Sequence, residues 1–431
     1  MPTAASTASP VLTMAVGIAT LLAIAFGRVP GVSLSRAVLA LAGATALVLT
    51  GALTLDRALA HVDGEVLVLL FGLMAVNAAL AEAGAFRLVT ALVTRGVLGP
   101  RRLLGVLVVS AGVLSALFLN DTVAIMLTPL VIRAARRLGL PPVPYLLGLA
   151  LAANAGSVAT VTGNPQNVLV AVAADIDYLT FAARLAPVGV ASLAVVYLVL
   201  VLLYRRELAS AGGRAEWTGA REALPEVRRG AMWLSGGAAL GMLAAFALGV
   251  NVALAALAAA AVVLMGAGKR SGAMLRRVDY GLVVLFAALF VVVGAMADTG
   301  LPQRWLLAWL PRAGSALEVV GLTAAVTTLL STVVSNVPAV LMLLPATGFA
   351  DTVPAAANAW LGSPSLALTL AMASTLAGNL TLVASVANLI VAEGARRLGI
   401  ELGFWTYLRA GLPVTLATLA LGALWLAAGG L

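Results

Sequence analysis

The chain has 431 residues, of which 62% are hydrophobic and 10% charged, with a formal net charge of +9. Soluble proteins carry roughly 45–50% apolar and 25% charged residues. A soluble fold would have too little interior for this much apolar surface, so a bilayer must be the solvent, and large soluble domains, nucleic-acid binders and disordered tails are excluded. Of the 26 basic residues only Lys269 is a lysine, and they stand singly or in pairs beside apolar runs, as charges that set membrane topology do. No cysteine is present, which excludes disulfides, thiolate metal sites and cysteine nucleophiles.

A membrane span needs about 20 apolar residues. The first run, 8–26, follows a segment without basic side chains and ends at Gly27-Arg28 rather than at a small-residue cleavage site, so it reads as a retained span. Further spans are expected at 34–54, 65–83, 145–172, 182–204, 231–249, 252–268, 280–297, 365–391 and 404–426. Two other apolar stretches, 103–132 and 316–344, are interrupted midway, by Asn120-Asp121-Thr122 and by Ser335-Asn336-Val337-Pro338. A helix that runs in, turns at a polar tip and runs back out explains both, provided the irregular backbone faces protein or water. Segments 86–98 and 302–310 read as surface linkers, and Trp233, Trp305, Trp309, Trp360 and Trp405 as interfacial anchors. The lone His61 falls in a loop between spans.

With both interrupted stretches re-entrant and the other ten crossing, 22 of the basic residues fall on one face and only Arg57, Arg184, Arg304 and Arg312 on the other. That skew marks the cytoplasmic face of an inner (plasma) membrane and puts both termini outside. The chain also repeats itself. Phe71 to Gly84 echoes Phe286 to Gly300, Asn120 matches Asn336 at an offset of 216, and Thr160 and Asn167 match Thr381 and Asn388 at an offset of 221. The expected fold is therefore all-α and membrane-embedded: two inverted repeats of five spans plus one re-entrant hairpin, each with one discontinuous helix. Residues 1–33 open the first repeat, 34–204 complete it, 205–230 form a cytoplasmic linker and 231–431 make the second repeat. Inverted repeats whose broken helices meet near the midplane are the architecture of secondary transporters.

The breaks lie at 157–167 and 378–388, where Pro165 removes a backbone donor and Gly163 and Gly378 relax the helix. Unwound carbonyls with Ser, Thr and Asn oxygens suit a hard cation such as sodium, while the N-termini of the following half-helices favour an anion. The candidate cation set is Asn120, Asp121, Thr160, Gly163, Asn164, Asn167, Ser335, Asn336, Ser385 and Asn388. The candidate substrate set is Asn120, Thr122, Asn164, Ser335, Asn336, Asn379 and Thr381. Polar kinks that merely pack helices are the alternative for any single break. Asp121 sits at the centre of an apolar run, where a charge costs roughly 2.5–3.5 kcal/mol and requires a partner or a cavity. It binds a cation, carries a proton, or caps the returning helix through its oxygens.

These motifs resemble the ion-transporter superfamily over 65–398, above all the bacterial anion permeases related to the arsenical pump membrane proteins. More distantly they are similar to divalent-anion–sodium symporters and sodium–proton antiporters. The resemblance rests on Asn120-Asp121-Thr122 with Pro129, Thr162-Gly163-Asn164-Pro165-Gln166-Asn167, Ser335-Asn336-Val337-Pro338, and Gly378-Asn379 through Asn388. It implies a dimeric elevator in which hairpins and broken helices slide against a fixed scaffold. Asn120, Asp121, Asn164 and Asn167 would then fall at a first cation site, and Ser335, Asn336, Ser385 and Asn388 at its symmetric partner, with substrate between the tips. Dicarboxylate symporters carry Ser-Asn-Thr at both tips, whereas this chain has Leu119-Asn120-Asp121 and Ser335-Asn336-Val337. That weakens a dicarboxylate reading and leaves proton coupling through Asp121 open.

The sequence therefore points to a secondary transporter of a small anion or oxyanion, arsenite-like, inorganic or carboxylate, coupled to sodium or protons. It needs no other cofactor, works as a homodimer in the bilayer, and has a soluble ATPase as a partner if it is of the arsenite type. A sodium–proton antiporter using Asp121 is the alternative. A membrane-embedded enzyme lacks a nucleophile–base pair in the spans, and a passive channel does not need a repeated motif set.

Overall fold

Inside a bilayer no water satisfies backbone N–H and C=O groups, so an apolar chain closes its hydrogen bonds within helices. The computed structural model describes residues 9–26, 34–94, 99–210, 227–301, 315–344 and 364–429, and holds twenty α-helices with no strand among them. Among the described residues eight helical stretches are long and apolar enough to cross a membrane.

One group of helices forms a lateral body. It comprises α1 (Pro10–Phe26), α2 (Arg36–Leu49), the short α3 (Leu55–Ala60), α4 (Gly64–Ala83), α5 (Ala85–Thr94), α12 (Arg229–Ala247), α13 (Val252–Ala267), the short α14 (Ser271–Leu275) and α15 (Tyr280–Asp298). Within it α4 packs on α13 and α12, and α2 on α15 and α1. Gly72 makes the α4–α13 crossing close, because a Cβ there would stand 2.7 Å from the backbone of Ala256. Polar side chains fasten both ends of α4. At one end Asn251 donates to Glu65 (2.6 Å). At the other, Glu82 pairs with Arg277 (2.8 Å) and Arg228 (3.3 Å), which brings the end of α4 beside the starts of α12 and α15. His61 lies 3.1 Å from Asp298, joining the loop before α4 to the end of α15.

The second group carries the interrupted segments. It contains α6 (Pro100–Leu117), α7 (Asn120–Arg137), α8 (Pro142–Ser157), α9 (Pro165–Ala173), α10 (Tyr178–Leu203) with the short α11 (Arg205–Ser210), α16 (Ala316–Val334), α17 (Asn336–Leu343), α18 (Pro364–Ala377), α19 (Val386–Arg397) and α20 (Phe404–Ala427). Helix α8 lies against α6, α7 and α10, while α18 lies against α16 and α20. Gly156 of α8 abuts the backbone of Gly112 of α6, leaving no room for a side chain at that crossing.

Several sequence expectations shift. The 34–54 run ends as a helix at Leu49, because the chain turns through Gly51 at φ +72° before Thr54 caps α3. The 182–204 span begins earlier, at Tyr178, since Asp177 caps it by accepting from the Thr180 N–H (2.9 Å). Bonds from the side chain and backbone of Thr180 hold the Asp177 carboxyl below the usual carboxylate range. The stretches 103–132 and 316–344 are each a helix–turn–helix, with first arms that are themselves long enough to span. Segment 302–310, Trp305, Trp309, Trp360 and linker residues 211–226 lie outside the described residues. Trp233 and Trp405 are exposed.

Candidate solute and ion site

Two long apolar stretches of the second group are broken midway into two helices. Helix α8 ends at Ser157, the chain passes through a single 3-10 turn over Val161–Gly163, and α9 restarts with Pro165 at its first position, where the missing N–H costs nothing. Helix α18 ends at Ala377, turns through 378–384, and α19 restarts after Ser385 in an extended conformation. Gly163 must be glycine, because a Cβ would meet the backbone of Ser157 and Ser115.

The two breaks are tied by the same bonds. The amide of Asn167 donates to the carbonyls of Ser157 and Thr160, both at 2.8 Å. The amide of Asn388 donates to the carbonyls of Gly378 (2.6 Å) and Thr381 (3.1 Å). All three positions correspond at the offset of 221. One fully buried asparagine in each break thus ties two carbonyls of the unwound stretch, and the Thr160 and Thr381 carbonyls also accept from the N–H groups of Gly163 (3.4 Å) and Ala384 (3.2 Å).

The link between the breaks crosses from one half of the chain to the other. Thr375 on α18 donates to Asn167 Oδ1 and accepts from Gln166 Nε2, both at 3.2 Å. At the matching position on α8, Asn154 donates to Asn388 Oδ1 (3.0 Å) and Asn379 Oδ1 (3.1 Å). Asn154 Oδ1 in turn accepts from Asn120 Nδ2 (3.1 Å) and Ser385 Oγ (3.0 Å). Around the first break, Asn164 donates to Ser157 Oγ (2.5 Å), and the Thr160 and Thr162 hydroxyls both bond the Ala116 carbonyl.

Of the residues the sequence singles out, Asn120, Asn379, Ser385 and Asn388 converge on Asn154, while Thr160, Gly163, Asn164 and Asn167 assemble around Ser157. The grouping differs from the sequence-based one: Asn120 is bonded, through Asn154, to the second break rather than the first, and among the described residues no hydrogen bond joins Asp121 to Asn164 or Asn167, or Ser335 or Asn336 to Ser385 or Asn388. Asp121 and Thr122 lie half-buried in the first turn of α7, where the N-terminal dipole favours a carboxylate. Asn120 Oδ1 accepts from the Asp121 N–H (2.9 Å), so Asn120 rather than Asp121 satisfies this amide at the helix start. The charges that act on Asp121 are those of Asp279, which caps α15, and Arg36, which opens α2. Sequence reasoning placed no basic residue near this tip.

The second tip is built differently. Ser335 is one of two non-glycine residues with positive φ among the described residues, at +76°, whereas the first tip turns through extended Phe118 without such strain. Asn336 Oδ1 and Thr381 Oγ1 have no partner among the described residues, nor do Ser115 Oγ and Ser331 Oγ, which correspond at the offset of 216. Unpaired buried oxygens at a tip and a break are acceptors available to a cation or a hydroxylated solute. Sequence reasoning missed Asn154 and Thr375, each on a helix that reads as apolar, and left Ser157 and Thr162 out of the site sets although both lie in the break at 157–167. The signal that finds Asn154 is its match to Thr375 at the offset already set by Asn167 and Asn388.

The family model described as citrate transporter (CitMHS) matches residues 21–362. The chain is 32% identical to a silicon efflux transporter of Oryza sativa subsp. japonica, over 95% of this chain and 96% of that one. It is 29% identical to an uncharacterized transporter of Mycobacterium tuberculosis, over 80% and 81% of the two chains. Among solved structures it is similar to the YdaH transporter of Alcanivorax borkumensis, with a TM-score of 0.55, 19% identity and 97% of both chains covered. MtrF of Neisseria gonorrhoeae gives a TM-score of 0.53 at 16% identity, covering 97% of this chain and 94% of that one. At those identities the structures share the fold alone.

Proposed function

The chain belongs to the citrate transporter family and is a membrane transporter, not an enzyme, and from that premise we propose that it moves a small oxyanion or oxyacid by secondary active transport. Coupling is to sodium or protons, and the second group of helices travels as a core across the bilayer. The observation that carries this reading is the pair of breaks held by identical asparagine bonds at an offset of 221. Two such sites on opposite halves of an inverted repeat support alternating access.

The chemistry of the lining favours an oxyacid over citrate. The network around Asn154 and Ser157 consists of amides and hydroxyls, and the one ionisable group at a tip is the Asp121 carboxylate. A tricarboxylate would bring about three negative charges to amides with a carboxylate close by, a costly arrangement away from water. A compact acid rich in hydroxyls and uncharged near neutral pH, such as silicic or arsenious acid, meets donors and acceptors of matching kind. The rice relative's name agrees with that class.

Contacts at the first tip support a sliding core. Phe118 stacks edge-on against Phe86 at 6.0 Å, and Phe86 lies just past the end of α4 at Ala83. Asp121 senses Asp279 and Arg36, at the starts of α15 and α2. A core level with these helices would present its tip to their middles. Helix α4 has 20 residues and is about 30 Å long, so a tip at its end implies a core displaced by roughly 15 Å. By the distribution of arginines this displacement is toward the cytoplasm. A homodimer in the inner membrane with both termini outside belongs to the same proposal.

The second reading, a sodium–proton antiporter, rests on Asp121 as a carboxylate at a tip within reach of other charges. Proteoliposomes with a trapped pH dye separate the two. Under a sodium gradient without solute, the oxyacid reading expects no proton flux. Adding silicic or arsenious acid should then start coupled movement, which Asp121→Asn stops or uncouples. Sodium-driven proton flux without solute would overturn the oxyacid reading in favour of the antiporter.

A further inference from the structure

We propose that Asn154 couples the first hairpin tip to the second break, so that a change at one is felt at the other before the core moves. A primary amide has two donors and two acceptor lone pairs, and all four are used. The donors reach Asn379 and Asn388, and the acceptors take Asn120 and Ser385. Asn154 is buried (1% exposed) and has no capacity left for a ligand, so it is a positioning residue and not part of a coordination shell.

Its orientation is dictated by its neighbours. Asn388 has committed its nitrogen to the Gly378 and Thr381 carbonyls, and Asn379 has committed its nitrogen to the Leu151 carbonyl (3.2 Å). Both therefore present oxygen to Asn154, and only its nitrogen can face them. Its oxygen is left for Asn120 and Ser385. Because the Asn120 and Ser385 donors both point at Asn154, their own oxygens are turned away from it, and the Ser385 lone pairs are free for a site at the break. Rotation of Asn120 on ligand binding would remove one donor from Asn154 Oδ1. That weakens the hold of a single side chain on Ser385, Asn379 and Asn388 together.

The matching residue in the other half does not do this. Thr375 has a single hydroxyl, and its bonds go only to Gln166 and Asn167 of the first break. The coupling is therefore one bridge, from tip one to break two, and not a symmetric pair. The bridge links the two places that the proposed function assigns to ion and solute.

The experiment is hydrogen exchange followed by mass spectrometry on the purified full chain, without solute. Asn120→Ala should speed exchange in 378–388 about threefold or more, the scale expected when a packed polar network carries coupling. In the Asn154→Ala background, exchange there is already fast, and Asn120→Ala should change it by less than about 1.5-fold. Helix α10 serves as the internal control and should not respond. Asn154→Thr, the residue found at the matching position, offers a second background if the alanine variant is not monodisperse. Exchange in 378–388 that ignores Asn120→Ala, or that responds equally in both backgrounds, overturns the coupling. Because exchange is read without transport, such a failure leaves the transport reading untouched, and failure of transport leaves the coupling untouched.

Discussion

Truncating the two break asparagines tests whether hydrogen bonds, rather than packing volume, hold the unwound segments. Asn167 makes two donated bonds at 2.8 Å and accepts one at 3.2 Å, and Asn388 donates at 2.6 and 3.1 Å and accepts at 3.0 Å. At about 1 kcal/mol net per bond, Asn167→Ala and Asn388→Ala should each cost about 3 kcal/mol. The control is Asn77→Ala on α4. Asn77 is 3% exposed against 0% for both break residues, but its amide nitrogen has no partner among the described residues. The side-chain volume removed is the same in all three. Asn77→Ala should therefore cost about 3 kcal/mol less than the other two, since the bonds account for the difference. The assay is reversible unfolding of the purified protein by SDS titration in mixed micelles, followed by tryptophan fluorescence. Equal losses in all three variants would mean that volume governs, and the account of the breaks given above would be wrong.

Three further outcomes are expected. Ser335→Gly should raise stability by about 1 kcal/mol through relief of the positive φ and still slow transport because the hydroxyl is lost, whereas Ser335→Ala should slow transport without the gain; both are read by the same unfolding titration and by vesicle uptake. Gly156→Ala should cost about 1–3 kcal/mol by driving α6 from α8, while Gly237→Ala, which meets nothing within 4 Å, should be tolerated; thermal unfolding in detergent compares them. Because the chain has no cysteine, Phe86→Cys with Phe118→Cys gives a clean pair, and a short thiol cross-linker should stop uptake in vesicles only when both are present. Uptake that continues after complete cross-linking would refute the sliding core.

The all-helical membrane class, the positions of the apolar spans and the location of both interruptions were legible in the chain itself. Their causes are local: apolar runs of span length, and glycine and proline where a helix is interrupted. The repeat offset was legible too, and it carries through to the bonds of Asn167 and Asn388. What only the tertiary structure decided is which polar groups meet. Asn154 lies in a run of alanines and leucines and shows no periodicity of its own, yet four partners from α7, the second break and α19 converge on it because α8 is surrounded by them. Ser335 takes its strained backbone from the packing of α16 against α17, which no local preference of serine demands. The approach of Arg36 and Asp279 to Asp121 likewise joins residues far apart in the chain, and it depends on where the core sits against its flanking helices. A sequence records what each segment can form by itself, whereas the pairing of buried polar atoms is settled by the packing of helices that bring them within bonding distance.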